Sequence, residues 1–336
     1  MEKLSPNIHS KLTTVVIKKL IQNRIVTIGD FLQEEIEKLL TITKLDLPSI
    51  LEVRNNIFKQ YSAPVTIGST LLTECLRKKS CLKTGIKRLD TILNGGIPIG
   101  FITEVCGLAG SGKTQLCMQL AINCVKSSNN TVLYIDTKGD FSSCRIQKAL
   151  EACGLSHKEM AIIMLKIKVV YIFSMEELLQ LLQEIKDKKV VLDNVTLVII
   201  DSLPCLMFQH FGDESKIGLN YLNVFVNLAR YIAQEFGLSM ICVNIETRWV
   251  DQDQIPDLDD DDDSNSTFKE PTYLEKKNRC LGKYWQQVPV LVLMLERYLQ
   301  SDSEQHCLSI IVKAQNYNNP CHRALCPLSI RLSGVT

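Results

Sequence analysis

The eight residues Gly107-Leu108-Ala109-Gly110-Ser111-Gly112-Lys113-Thr114 spell the pattern G-x-x-x-x-G-K-[ST]. Glycines at the first and sixth positions let consecutive backbone N–H groups turn inward around an oxyanion, and Lys113 reaches the outer phosphates. The Thr114 hydroxyl is placed to ligate Mg²⁺, and a helix beginning here adds the partial positive charge of its N-terminus. The pattern needs a strand before it and a helix after it. The chain supplies both, with Ile102, Val105 and Cys106 ahead of the loop and Leu116, Met118, Leu120 and Ala121 behind it. These residues predict a nucleoside triphosphate site formed by Gly107, Gly110, Ser111, Gly112, Lys113 and Thr114, with Mg²⁺ at Thr114.

Such a site needs a carboxylate for the metal at the end of a neighbouring strand. Thr196-Leu197-Val198-Ile199-Ile200-Asp201-Ser202 provides one, because four consecutive apolar residues read as a strand buried on both faces. Asp201 stands at the carboxyl end of that strand, the end at which open α/β sheets bind ligands.

Around these residues, apolar runs alternate with amphipathic ones. Thr131 to Ile135 precedes Cys144 to Cys153, Lys168 to Phe173 precedes Met175 to Ile185, and Leu197 to Ile200 precedes Leu219 to Phe236, with Ser239 to Val243 following. The alternation predicts a mostly parallel sheet with helices on both faces. Val290 to Leu295, Leu308 to Val312 and Leu328 to Leu332 follow with little helix between them and predict an antiparallel end to the sheet. Residues 1–60 show helical runs (Val15 to Leu20, Ile28 to Leu40, Ile50 to Phe58) and no strand-like alternation, which predicts a small helical domain. A linker over 61–83 begins at Tyr61-Ser62-Ala63-Pro64, and 84–336 forms the α/β core. Within the core, 245–284 reads as a long polar loop carrying six aspartates between Asp257 and Asp263.

The 336 residues carry a net charge of +1, so contact with nucleic acid must come from a local patch. No apolar run approaches the roughly 20 residues of a membrane span, and the N-terminus lacks a signal-peptide core. The thirteen cysteines lie mostly singly in apolar stretches, as reduced core thiols do in a reducing compartment. The cluster His306, Cys307, Cys321, His322 and Cys326 matches no common zinc spacing.

The phosphate loop, the Leu197 to Ser202 strand, Thr84-Gly85-Ile86-Lys87-Arg88-Leu89-Asp90, Gly95-Gly96-Ile97, Gly100-Phe101-Ile102-Thr103-Glu104 and Tyr134-Ile135-Asp136-Thr137 together resemble the RecA-type recombinases of eukaryotes. Within that family, Leu281-Gly282-Lys283-Tyr284-Trp285-Gln286-Gln287-Val288-Pro289 looks most like the D-type paralogue of the strand-exchange recombinase. The resemblance spans nearly the whole chain. It implies a RecA-like P-loop ATPase core behind a small helical domain, and a linker whose Tyr61-Ser62-Ala63 step docks one protomer on the next. It also implies a nuclear, DNA-dependent role in homologous-recombination repair of DNA damage.

Two positions depart from the family. A glutamate that activates the attacking water follows Asp136-Thr137 in the recombinases, whereas this chain has Lys138, a cation at neutral pH. Loss of a positioned base costs about 10²–10⁴-fold in rate, so hydrolysis is expected to be weak or absent unless Glu104 or Asp140 substitutes. The family's polar pair that senses the terminal phosphate is Asn244-Ile245 here, so Asn244 keeps a phosphate-sensing role while Ile245 cannot hydrogen-bond. The expected function is that of an ATP-binding recombinase paralogue in a hetero-oligomer of paralogues. The alternative is a competent DNA-stimulated ATPase that performs strand exchange as a self-assembling filament.

For single-stranded or branched DNA, the resemblance points to the loops after Asp201 and Asn244. The first, Leu203 to Gly218, is not basic. The second offers Arg248, Lys283 and Trp285 as cations and a stacking surface, against the aspartate run that repels phosphate. In the helical domain, Thr41 to Ser49 has no glycine for close approach to a backbone phosphate, so that domain is read as a docking module for a partner protein.

Overall fold

The computed structural model describes residues 3–62, 67–77, 81–127, 130–210, 216–250, 275–297, 308–316, 319–331 and 333–335. It divides into two compact units, Met1–Arg77 and Lys78–Thr336.

The first unit is helical. Thr13 caps α1 (Thr14–Gln22) by accepting the Val16 N–H, and a reciprocal capping box of Thr27 and Asp30 opens α2 (Ile28–Gln33). The sequence predicts one helix from Ile28 to Leu40, but the chain becomes extended at Glu34 (φ −69°, ψ 150°) and restarts as α3 (Ile36–Thr43). The break is tied to α4 (Leu47–Tyr61), whose Arg54 guanidinium donates to the carbonyl oxygens of Phe31 and Glu34. Leu12, Leu20, Ile25, Phe31, Leu39, Ile50 and Ile57 are buried together, so most of the apolar residues of this unit serve its own core. Val15, Ile21, Leu51 and Phe58 remain exposed. A further helix, α5 (Gly68–Arg77), lies within the stretch read as linker, with Leu71 and Leu72 exposed.

The second unit begins with β1 (Cys81–Leu82), α6 (Lys87–Ile92) and β2 (Ile97–Pro98), which pairs with β1 antiparallel. Gly96 between them has φ +134°, and a Cβ there would collide with the Leu82 carbonyl, so only glycine closes this ribbon. There follow β3 (Ile102–Gly107), α7 (Lys113–Ser127), β4 (Thr131–Asp136), α8 (Ser143–Glu151), α9 (His157–Leu165), β5 (Ile167–Tyr171), α10 (Met175–Lys186), β6 (Val195–Asp201), α11 (Leu203–Met207), α12 (Lys216–Glu235) and β7 (Ser239–Val243). A hairpin of β8 (Glu246–Val250) and β9 (Glu275–Arg279) leads through α13 (Gly282–Trp285) to β10 (Leu291–Arg297), β11 (Leu308–Asn316), β12 (Asn319–Arg331) and β13 (Gly334–Val335).

Nine of these strands form one sheet in the order β13-β12-β11-β10-β3-β7-β6-β4-β5. Pairings from β10 through β5 are parallel and those from β10 through β13 antiparallel, as the apolar pattern predicts. Successive residues alternate between two cores. Val105, Tyr134, Ile199 and Ile241 face a layer built on α7, while Ile102, Ile135, Ile200 and Cys242 face one built on α10 and α12. This double burial is what makes the central strands predominantly apolar, with Asp136 and Asp201 at the carboxyl ends of β4 and β6.

The described cysteines are free thiols, several of them buried, and burial pushes the Cys117 and Cys242 thiols well above their ordinary pKa. Of the five residues at the C-terminal end considered for zinc, His306 lies outside the described residues, as does Cys307, while Cys326 is a buried core residue. Among the described residues no helix is long and apolar enough to cross a membrane.

Truncating Leu20, fully buried in the helical unit, removes its side-chain packing with only partial collapse around the gap. Leu20→Ala is expected to cost about 2–5 kcal/mol, read as a lowered urea midpoint with an unchanged slope.

Candidate nucleotide site

Strands β3, β4, β6 and β7 all end on one edge of the sheet, and their last residues converge there. The phosphate loop leaves β3 at Gly107 and enters α7 at Lys113, a helix of fifteen residues whose first N–H groups have no intrahelical partners. Gly107 (φ +155°), Gly110 (φ +73°) and Gly112 (φ +91°) take backbone conformations that L side chains rarely adopt. At Gly107 space is the second constraint, because a Cβ would strike the Leu295 carbonyl oxygen and crowd the Ser111 hydroxyl.

Within the cradle, the Lys113 ammonium donates to the carbonyl oxygens of Gly107 (2.9 Å) and Leu108 (2.7 Å), which leaves one of its three protons for another acceptor. Burial lowers the pKa of Lys113, and the charge of Lys138 pushes the same way. The Ser111 hydroxyl is buried and makes no hydrogen bond among the described residues. An unspent ammonium proton, an unpartnered buried hydroxyl and the open N–H groups of a helix fit one ligand chemistry, a polyphosphate.

Asp201 closes the other side. Its Oδ2 accepts from the Thr114 hydroxyl at 2.7 Å and from the Tyr134 hydroxyl at 2.9 Å. Burial, together with the neighbouring charges, holds the Tyr134 phenol far above its ordinary pKa, so it stays a donor. Thr114 and Asp201, paired by sequence reasoning as Mg²⁺ ligands, are thus in direct contact. Tyr134 escaped that reasoning, although a phenol in a strand otherwise built for burial had to find a partner.

The Asp201 Oδ1 faces Lys138, whose Nζ lies 3.2 Å away and equally 3.2 Å from the Asp140 carboxylate. The turn carrying Lys138 is wound around Asp136. The Oδ1 of Asp136 accepts the N–H groups of Lys138 (3.0 Å), Gly139 (3.0 Å) and Asp140 (3.4 Å), and its Oδ2 accepts that of Phe141 (2.9 Å). Thr137 then joins this turn to the end of β6, its hydroxyl donating to the Ser202 carbonyl at 2.9 Å and accepting the Ser202 N–H at 2.7 Å. Burial opposes the charge on Lys138, but Asp201 and Asp140 outweigh it and hold the ammonium above its ordinary pKa.

Three expectations change at this point. Asp140, considered as a substitute base, arrives as a partner of Lys138. Glu104 is fully buried in β3, its Oε2 accepting from Arg279 at 2.8 Å and its Oε1 from the Asn244 amide at 2.7 Å. Burial raises its pKa while Arg279 and Asn244 pull it down, and both of its oxygens are engaged in that network. Asn244 is itself buried, donating to Glu104 and the Cys280 carbonyl and accepting the Ile245 N–H. Both amide protons are therefore spent on the protein, and Asn244 offers no donor to a terminal phosphate.

The residues assigned to DNA separate in the same way. Arg248 is exposed on β8, opposite Lys277 in the β8–β9 hairpin, and Lys283 is exposed on α13. Trp285 is 0% exposed and packs in the α12 layer, 6.3 Å from Phe225 between ring centroids. An indole at that depth cannot stack on a base, so the assignment of Trp285 to DNA is corrected to a core role. The aspartate run 257–263 lies outside the described residues. Trp285→Ala is expected to cost about 3–5 kcal/mol in chemical denaturation, the loss of a large core side chain.

The family model described as Rad51 matches residues 77–257, more than half of the chain. Among individual proteins, the DNA repair protein RAD51 homolog 4 of Bos taurus is 26% identical over 87% of this chain and 84% of its own length. The protein of the same name from Mus musculus is 27% identical over 70% of this chain and 74% of its own. The DNA repair protein rhp51 of Schizosaccharomyces pombe is 27% identical over 59% and 56%. With its phosphate loop, its Asp201 strand and its RecA-like sheet all inside or beside the matched region, this chain belongs to the Rad51 family and is similar to the RAD51 homolog 4 proteins over most of its length.

Proposed function

We propose that the chain is an ATP-binding recombinase paralogue that assists homologous-recombination repair of DNA in the nucleus as one subunit of a paralogue hetero-oligomer. ATP acts there mainly as a structural ligand and is hydrolysed slowly or not at all. The observation that carries this reading is the Lys138 ammonium 3.2 Å from Asp201, in the turn where the family's water-activating glutamate stands.

The phosphates would be held by the backbone of Gly107, Gly110 and Gly112, the Ser111 hydroxyl and Lys113, and Mg²⁺ by Thr114 and Asp201. When bound, Mg²⁺ with ATP supplies charge neutralisation and an electrophilic terminal phosphate. The protein side of hydrolysis is what the chain lacks. A protonated Lys138 has no lone pair with which to take a proton from water. Asp140 is held by Lys138, and Glu104 is locked under Arg279 and Asn244. A ligand at 100 times its dissociation constant nonetheless stabilises the folded chain by about 2.7 kcal/mol with no turnover.

DNA contact in this reading is modest, with Arg248 and Lys283 as cations and no stacking by Trp285. Partner contact falls to the helical unit and to the segment around Tyr61. The same features disfavour an autonomous strand-exchange enzyme, since neither a base at position 138 nor a free Asn244 amide would couple ATP to a DNA loop.

The purified chain, alone and co-expressed with other paralogues, is expected to retain ATP and lose it on Lys113→Ala, while turnover with single-stranded DNA stays at the level of that variant. Turnover at the rate of an active recombinase, abolished by Lys113→Ala, would overturn the reading. Binding to single-stranded DNA is expected to weaken with salt by only a few phosphate contacts, each giving a log–log slope of about −0.7.

A further inference from the structure

Lys138 does more to the site than withhold a base. Asp201 is the carboxylate on which the metal would sit, and both of its oxygens face protein groups. Thr114 and Tyr134 take Oδ2, and the Lys138 ammonium stands at Oδ1. The side chain of Asp201 is 2% exposed, so its charge is balanced by neighbours and not by water. Lys138 is built into this position. Four N–H groups of its turn are gathered on Asp136, the turn is bolted to Ser202 by Thr137, and Asp140 holds the ammonium from its outer side. The charge of Lys138 also opposes that of Lys113, whose ammonium is bonded to the carbonyls of Gly107 and Leu108.

A buried aspartate beside a triphosphate is ordinarily a source of repulsion, and one function of Mg²⁺ is to lie between the two anions. Here a tethered cation already lies against that aspartate. We propose that Lys138 stands in for part of the divalent charge, so that the site binds nucleotide with little dependence on Mg²⁺. The proposal rests on the nucleotide-binding reading above and adds to it which charge neutralises Asp201 and the phosphates.

Equilibrium binding of a fluorescent ATP analogue to the full chain, in excess Mg²⁺ and in excess EDTA, tests it without reference to turnover. The wild-type dissociation constant is expected to change less than about threefold between the two conditions. For Lys138→Met, similar in length but uncharged, removal of Mg²⁺ is expected to weaken binding at least about tenfold, equivalent to about 1.4 kcal/mol. Lys138→Arg, which keeps the cation, is expected to behave as the wild type. Wild-type binding that collapses in EDTA would overturn the role of Lys138 and leave the nucleotide site standing. Equal indifference to Mg²⁺ in wild type and Lys138→Met would also overturn it, by placing the neutralising charge elsewhere. Absence of binding in either condition would instead overturn the nucleotide reading itself. Should Lys138→Met fail to fold, Lys138→Gln takes its place, and a collapse of wild-type binding in EDTA overturns the proposal without either variant.

Discussion

A carboxylate buried to 2% exposure at the end of a central strand has to be matched by fixed donors and charges, because an unpaired ion at that depth costs several kcal/mol. Asp201 meets this demand by gathering one group from each of three neighbouring segments. Thr114 comes from the first turn of α7, Tyr134 from β4, and Lys138 from the turn after β4. The parallel pairing of β4 with β6 sets Asp136 beside Asp201, so the turn wound on one aspartate delivers its lysine to the other. The geometry of the phosphate loop, the placement of Lys138 and the register of the sheet are therefore one arrangement seen from three elements.

A second buried carboxylate organises the other side of β3. Glu104 pairs across to the residue following β7, Asn244, and to β9 through Arg279, so the β8–β9 pair, a two-stranded sheet of its own, is tied to the large sheet by charge. Trp285 fills the adjacent layer from α13, a few residues beyond Arg279. Residues that a sequence reading places at a DNA surface or a phosphate thus serve to anchor the segment from which the exposed cations Arg248 and Lys283 project.

The legible part of the chain was the part with a short-range physical signature. The phosphate loop, the apolar β6 with its terminal acid, and the strand–helix alternation follow from spacing and from burial on both sheet faces, and the sheet order agrees with them. The break at Glu34 was hidden because its stabilising donor, Arg54, is twenty residues away. Asn244, Arg279 and Trp285 carry polar or amphipathic side chains on segments that look like loop. Whether such groups face solvent or Glu104 depends on contacts separated by 140 and 175 residues, which no local pattern encodes. Lys138 was visible as a substitution, but its pairing with Asp201 needed the register of β4 against β6.

The turn after β4 shows why a lysine can occupy that position without disturbing the fold. Its shape is specified by the Asp136 side chain accepting main-chain N–H groups, by Thr137 clasping Ser202, and by the positive φ of Gly139 at +78°. None of these uses the side chain at 138, so exchange of an acid for a base there alters the local charge by two while leaving the scaffold intact. The energetic consequence falls on Asp201, which a neighbouring glutamate would repel and a lysine neutralises. A fold that fixes the backbone of this turn independently of the side chain at 138 lets the charge there change while the neighbouring loop keeps its shape, with Gly107, Gly110 and Gly112 at positive φ and Lys113 bonded to the carbonyls of Gly107 and Leu108.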